Sequence, residues 1–164
     1  MTAENQETLV LKQTNQPEEE TTVVAPASGQ AGLWRDLSDR SDLATQAQSW
    51  AELMHAQLDE RPSSNPIAVF AFRYDAPARQ LTPIGGSPRN RVGSALAIDA
   101  AQSAVDNERP VARGEMPSAD NQTLAKPMAA AAPLMVKGVA VGVVVLEMRP
   151  SSQADMRWAM RRLQ

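Results

Sequence analysis

A chain of 164 residues allows one domain, or one domain with a tail. Cysteine is absent, which excludes disulfides, thiolate metal sites, thioether-linked chromophores and cysteine nucleophiles together. The formal net charge is −3, and it is unevenly placed: residues 1–30 hold five glutamates against Lys12, leaving the remainder at about +1. Neither part has the basic excess of a nucleic-acid surface. The apolar fraction of 43% is mostly Ala, Val, Leu and Met, with aromatics at only 4%, so the core has few large aromatic anchors. The N-terminus lacks the basic-then-apolar run of a signal peptide. The most apolar stretches, 128–136 and 139–146, fall far short of the ~20 residues of a spanning helix. These features predict a soluble, cytoplasmic chain that inserts in no membrane.

Residues 1–30 are rich in Thr, Glu, Gln and Asn, and their isolated apolar pairs bury too little surface to offset ordering entropy. We read them as a disordered acidic tail ahead of a domain at 31–164. From Leu33 to Leu58, the residues Leu33, Leu37, Ala44, Ala47, Ala51, Met54 and Leu58 form one stripe of an amphipathic helix. Leu43 and Trp50 widen that stripe. Ser38 or Ser41 is placed to cap the helix, which leaves the Leu33 end as a separate turn. Pro62 to Pro66 ends it.

Residues 67–75 alternate as a strand, with Ala68, Phe70, Phe72 and Tyr74 on one face and Ile67, Val69, Ala71 and Arg73 on the other. A turn at 75–78 leads to a second strand over 80–84, which Gly85-Gly86-Ser87-Pro88 ends. Pro83 places that strand at a sheet edge or gives it a bulge. Residues 93–107 read as a helix and 111–115 as a short strand, followed by a polar connection to Met128. Residues 130–136 and 139–148 flank Lys137-Gly138, a tight turn with glycine available for positive φ. The near-continuous valine run of 139–145 suggests a central strand covered on both faces. A final helix follows Pro150. Helices before, between and after local strand pairs imply an α+β domain with an antiparallel sheet.

The stretch from Ala131 to Glu147 resembles the closing hairpin of GAF domains, with Pro133-Leu134, a glycine turn and a Gly-Val-rich strand. Residues 152–163 resemble the last GAF helix, 67–75 the first strand, and 95–112 the helix and short strand that follow. This resemblance implies a GAF-like antiparallel sheet of about five to six strands covered by helices, with the N-terminal and C-terminal helices packed together. The family includes cyclic-nucleotide binders, bilin and haem sensors, methionine sulfoxide reductases and dimerisation modules. The Asn-Lys-Phe-Asp-Glu set of the cyclic-nucleotide binders is absent, and chromophore attachment and sulfoxide reduction both need the missing cysteine. Trp34 and Trp50, the end of the second helix at Asn107 to Pro110, and the Arg-rich last helix resemble the cytosolic GAF portion of HlyD-like secretion adaptors. That likeness implies a juxtamembrane domain of a longer bacterial protein, with Arg149, Arg157, Arg161 and Arg162 against Asp155 alone.

His55 is the single histidine, and no cluster of His and acids surrounds it, so no metal site or cofactor is expected. No nucleophile elbow appears, and Gly85-Gly86-Ser87 lacks the lysine and spacing of a phosphate loop. The methionines, Met116 included, read as core filler. Arg73 and Arg113 stand in otherwise apolar strands. One reading turns them into the family's pocket beneath the sheet to grip an anion, with Phe72, Tyr74 and Glu115 as neighbours; the other leaves them at exposed edges. Glu147 has the same ambiguity. The expected function is a non-catalytic docking module that forms a homodimer or binds a partner protein through its first and last helices, with Trp34, Leu37, Trp50, Trp158 and Arg161 at the contact. The alternative is a small-molecule sensor whose pocket is gated by residues 113–128.

Overall fold

The computed structural model describes residues 42–60, 62–115 and 126–163. Helix α1 spans Leu43–Asp59. Its N-cap is Asp42, not Ser38 or Ser41: the carboxylate accepts from the Thr45 amide at 2.9 Å and from the Thr45 hydroxyl at 3.0 Å. Those two bonds hold the Asp42 carboxyl below its usual pKa range, the backbone bond being the larger cause. The expected stripe holds for Ala47, Ala51 and Leu58, which are buried, while Leu43 is 58% exposed because it precedes the first turn to meet the sheet. Leu33 and Leu37 lie outside the described residues. At the other end the Ser64 hydroxyl, in a short 3-10 turn (Pro62–Ser64), donates to the Leu58 carbonyl at 2.8 Å.

Strands β1 (Pro66–Asp75) and β2 (Gln80–Ser87) form the first hairpin. The Asp75 carboxylate accepts from the Ala78 amide at 3.2 Å, the local bond that favours aspartate at a turn. β2 runs three residues further than the sequence suggests. Ala71 faces Gly85 and Phe72 faces Pro83, so Ile84 is the extra residue of a bulge and the glycines stay in the ladder. Helix α2 (Ala95–Asp106) is capped by Ser94, whose hydroxyl accepts from the Ala97 amide at 3.2 Å. β3 is Val111–Gly114, β4 Met128–Val136 and β5 Val139–Met148. Lys137 and Gly138 both take positive φ, 51° and 79°, closing the second hairpin in the left-handed conformation a two-residue turn requires. Helix α3 (Gln153–Arg162) is capped by Ser152.

The sheet order is β2-β1-β5-β4-β3 with every pair antiparallel, which puts the valine strand β5 in the centre. Each face carries its own core. On one, α1 and α3 lie over Val69, Ala71, Ala130, Ala132, Val144, Leu146 and Met148, and the residues of both helices join one cluster. On the other, Ala97, Ala100, Ala101 and Ala104 of α2 meet Ala68, Ala129 and Ala131, all fully buried, with Phe70 and Phe72 beside them. Alanine on both sides lets the helix seat directly on the sheet. No described helix is long and apolar enough to cross a membrane.

Candidate functional site

Side-chain positions follow from the ladder. Arg113, on edge strand β3, reaches α2: its Nε donates to Asp99 at 2.9 Å and a terminal nitrogen donates to the Ser103 hydroxyl at 2.7 Å. Glu147, on β5, is 4% exposed and accepts from the Ser94 amide at 2.9 Å, at the N-terminus of the same helix. Arg113 faces Ala129 and Ala129 faces Glu147, so both charges stand in one row across the sheet. Together they clamp α2 at its start and along its flank. The carboxylate at the start also suits the helix dipole.

The other pocket candidates stand apart from this row. Phe72 is buried in the α2-side core and Tyr74 packs partly against it, both four or more positions from the row of Arg113. With β5 and β4 between β1 and β3, the lateral separation is about 14 Å. Arg73 is exposed on the opposite face, and Glu115 is exposed and ion-paired with Lys126. The structure therefore does not bring Arg73, Arg113, Phe72, Tyr74 and Glu115 together. Most of the expected gate, and Met116, lie outside the described residues.

A different concave site lies at the β2 edge, with a volume of about 330 Å³. Phe70, Pro83, Ile84 and the bare backbone of Gly85 and Gly86 form its walls, Gln48 of α1 closes one side, and Arg89, Asn90 and Arg91 form a rim. Gly85 is sterically demanded, and Gly86 is tightly placed. A Cβ at Gly85 would stand 2.5 Å from the Ala47 carbonyl carbon, and one at Gly86 would stand 3.2 Å from the Phe70 ring. Gln48 acts as a substitute strand: its amide nitrogen donates to the Gly86 carbonyl at 2.8 Å, and its amide oxygen accepts from the Gly86 N–H at 3.0 Å. Arg89 pairs with Glu52, which also accepts from Gln48 at 2.7 Å. The Arg89 hydrogen bond holds the Glu52 carboxyl below its usual range, and the same bond raises the Arg89 pKa. Among the described residues, Asn90 and Arg91 form no side-chain hydrogen bond or ion pair.

This groove was missed at the sequence level. Its signal was two glycines followed, after Ser87-Pro88, by a polar, basic Arg-Asn-Arg turn, which reads on its own as a strand terminator. His55 lies nearby, its Nδ1 2.9 Å from the Ser87 hydroxyl, joining α1 to the end of β2. The carboxylate one turn earlier, Glu52, is committed to Arg89 and Gln48, so no acid–histidine–serine relay forms through it. No group of three or more His and acidic residues able to hold a metal ion occurs among the described residues.

On the α1 and α3 side, Trp50 and Trp158 are half-buried against the core, and the guanidinium of Arg162 lies 5.5 Å from the Trp158 ring centroid. Arg161 is exposed. Trp34 and Leu37 lie outside the described residues. Beyond the helices, the tip of the β4–β5 hairpin exposes Leu134, Val136 and Val139. Strand alternation from the buried Ala130 and Ala132, and the pairing of Val136 with Val139, put these three on the α1 and α3 side.

No family model matches this chain, and no curated protein is significantly similar to it. Solved structures are similar in three dimensions. A protein described as a GAF sensor from Burkholderia vietnamiensis is 18% identical with a TM-score of 0.52, covering 87% of this chain and 90% of its own. The fold is GAF-like. Free methionine-R-sulfoxide reductase from Neisseria meningitidis, in complex with its substrate, is 13% identical with a TM-score of 0.53, covering 82% of this chain and 83% of its own. The GAF domain of an Acinetobacter phosphoenolpyruvate-protein phosphotransferase is 10% identical with a TM-score of 0.50, covering 82% and 87%. At these identities the likeness is one of GAF-like fold alone, and reductases share it with sensors.

Proposed function

We propose that this GAF-like domain is a non-catalytic regulatory module that docks through its α1 and α3 side, first of all onto a second copy of itself. The observation that carries the reading is the exposed apolar set Leu134, Val136 and Val139, which continues that face past the ends of its helices, with Leu43 exposed at the start of α1. Exposed apolar groups clustered at the hairpin tip, where Met135 and Val141 are exposed as well, favour association. A two-fold pairing would let the same patch serve both copies. Trp50, Trp158 and Arg161 flank the contact, as would Trp34 and Leu37 ahead of α1. The absence of cysteine and the commitment of Glu52 to Arg89 and Gln48 support a non-catalytic role. A cytoplasmic position in a longer, secretion-related protein rests on the sequence likeness of Trp34, Trp50, the end of the second helix at Asn107 to Pro110 and the Arg-rich last helix.

Light scattering on the full chain tests the docking reading. A dimer that falls to monomer when Leu134 and Val136 are both changed to Ser is the expected result. A monomer at every concentration up to about the millimolar range would overturn self-association. A second reading, a small-molecule sensor, is favoured by the β2-edge groove. Its test is a ligand that raises the melting temperature in a saturable way.

A further inference from the structure

We infer that the exposed apolar end of the sheet on the α1 and α3 side is covered by residues 33–37 of the same chain, so that two copies pairing across it have to displace that segment. The inference goes beyond the docking reading, since the cover holds whether or not copies pair.

The ladder gives this surface row by row. Ala71, Val144 and Ala132 pair across β1, β5 and β4 and are buried in the cluster that the two helices join. The next row outward on the same face is Arg73, Gly142 and Leu134, and beyond it Val136 faces Val139. Burial stops abruptly there. Arg73 is exposed, and Leu134, Val136 and Val139 are 42, 54 and 55% exposed. Gly142 carries no side chain to fill the gap, because a Cβ would stand 2.7 Å from the Phe72 carbonyl oxygen. The Arg73 side chain makes no ion pair or hydrogen bond among the described residues. The result is an apolar shelf with one unmatched cation at its edge.

Helix α1 begins at this end of the sheet. Its Ala47 stands over Gly85, the partner of Ala71, and its later turns reach Ser87 through His55 and Ser64 through Leu58. The helix thus runs away from the shelf, and its cap Asp42 is directed toward the row of Arg73. The chain enters α1 from the stretch 25–41, whose large apolar residues are Leu33, Trp34 and Leu37. Leu37 stands five residues before Asp42 and Trp34 eight, a reach of up to about 17 Å and 26 Å in extended chain. From β2, on which α1 packs, to β4 is three strand spacings, about 14 Å. Both side chains therefore reach the shelf, and Asp36 beside Leu37 supplies the carboxylate that Arg73 lacks. A short tether also holds the segment at an effective concentration on the order of millimolar, above that of a second copy in dilute solution.

The test uses the absence of cysteine in the native chain. A nitroxide is attached to the full chain through Ala31→Cys, and the broadening of backbone amides is read in ¹H–¹⁵N spectra of dilute protein. Broadening at residues 134–141 is expected in a ¹⁵N chain that carries its own label. None is expected in an equal mixture of labelled ¹⁴N chain and unlabelled ¹⁵N chain. Trp34→Ser with Leu37→Ser is expected to remove the broadening, with unchanged amide shifts in α2 as the check of folding. Where light scattering finds a dimer, the same two changes are expected to tighten it by about fivefold or more. A dimer left unchanged or weakened would overturn the competition. Broadening as strong in the mixture as in the self-labelled chain would overturn the intramolecular cover and leave the docking reading standing. Broadening that misses residues 134–141, or that survives the two changes, would overturn the inference whatever light scattering shows.

Discussion

Glu147 and Arg113 illustrate what a charged residue does when the interior around it is alanine. Each reaches a polar group of α2, whose sheet-facing side is mostly alanine. Replacing Glu147 by Ala leaves the Ser94 amide without its acceptor, and the unmet donor should cost about 1–3 kcal/mol. Glu147→Gln keeps an acceptor at the same reach and should cost clearly less. Urea unfolding of the two variants checks this, and equal losses would mean that the bond to Ser94 contributes nothing. Glu52 supplies the pH dependence at this scale. Its pKa is lowered in the folded state by Arg89, so its contribution is present above the ordinary glutamate value of 4.5 and is lost as pH falls through the lower folded value. The melting-temperature gap between the native chain and Glu52→Gln should be constant near neutrality and close in acid. The pair is largely exposed on the arginine side, so the gap corresponds to about 0–1 kcal/mol.

Elements meet here by unusually close approach at two places. α1 crosses β2 over Gly85, where the Ala47 carbonyl carbon occupies the space of a Cβ. Gly85→Ala should therefore push α1 off the strand, at a cost of about 1–3 kcal/mol, and should also loosen the Gln48 bonds to Gly86. Urea unfolding reads the first effect and amide exchange at Gly86 the second. A stable Gly85→Ala variant with unchanged exchange would mean that the helix can shift without consequence. The second close approach is α2 on the sheet through Ala-on-Ala contact. Both sites of contact depend on small residues, which explains how a chain so poor in aromatics builds two cores. The edges are managed differently. β2 is guarded by a proline, a bulge and the Gln48 side chain, whereas β3 is only four residues long.

At the scale of the molecule, the two faces divide the work. The α2 side is packed on alanine and held by its two charged clamps, with Ile98 and Met135 exposed there, while the α1 and α3 side continues into exposed Leu134, Val136 and Val139 at the hairpin tip. If that side binds a second copy, the folded state is linked to protein concentration. The melting temperature should then rise with concentration for the native chain and not for the Leu134→Ser, Val136→Ser double variant. Calorimetry over a hundredfold range of concentration decides this, and identical behaviour of the two chains would remove the tip from the interface.

The element order, the second hairpin with its Lys137-Gly138 turn, and the central place of β5 were all legible in the sequence, because each rests on local chemistry: alternation, a glycine in left-handed φ, and a valine run dense enough to be buried twice. The groove was not legible. Gly85 and Gly86 look like a terminator until α1 is laid across Gly85, and only then does the lack of a side chain at Gly85 become a steric requirement rather than a turn signal. The same holds for Arg113 and Glu147. Their strands and faces follow from local pattern, but α2 had to be placed across three strands before its Asp99, Ser103 and Ser94 amide came within reach. Periodicity acts along one element, and so the sequence by itself determined the elements and their faces. Contacts between residues far apart in the chain depend on how helices cross the sheet, and that crossing was decided by tertiary packing.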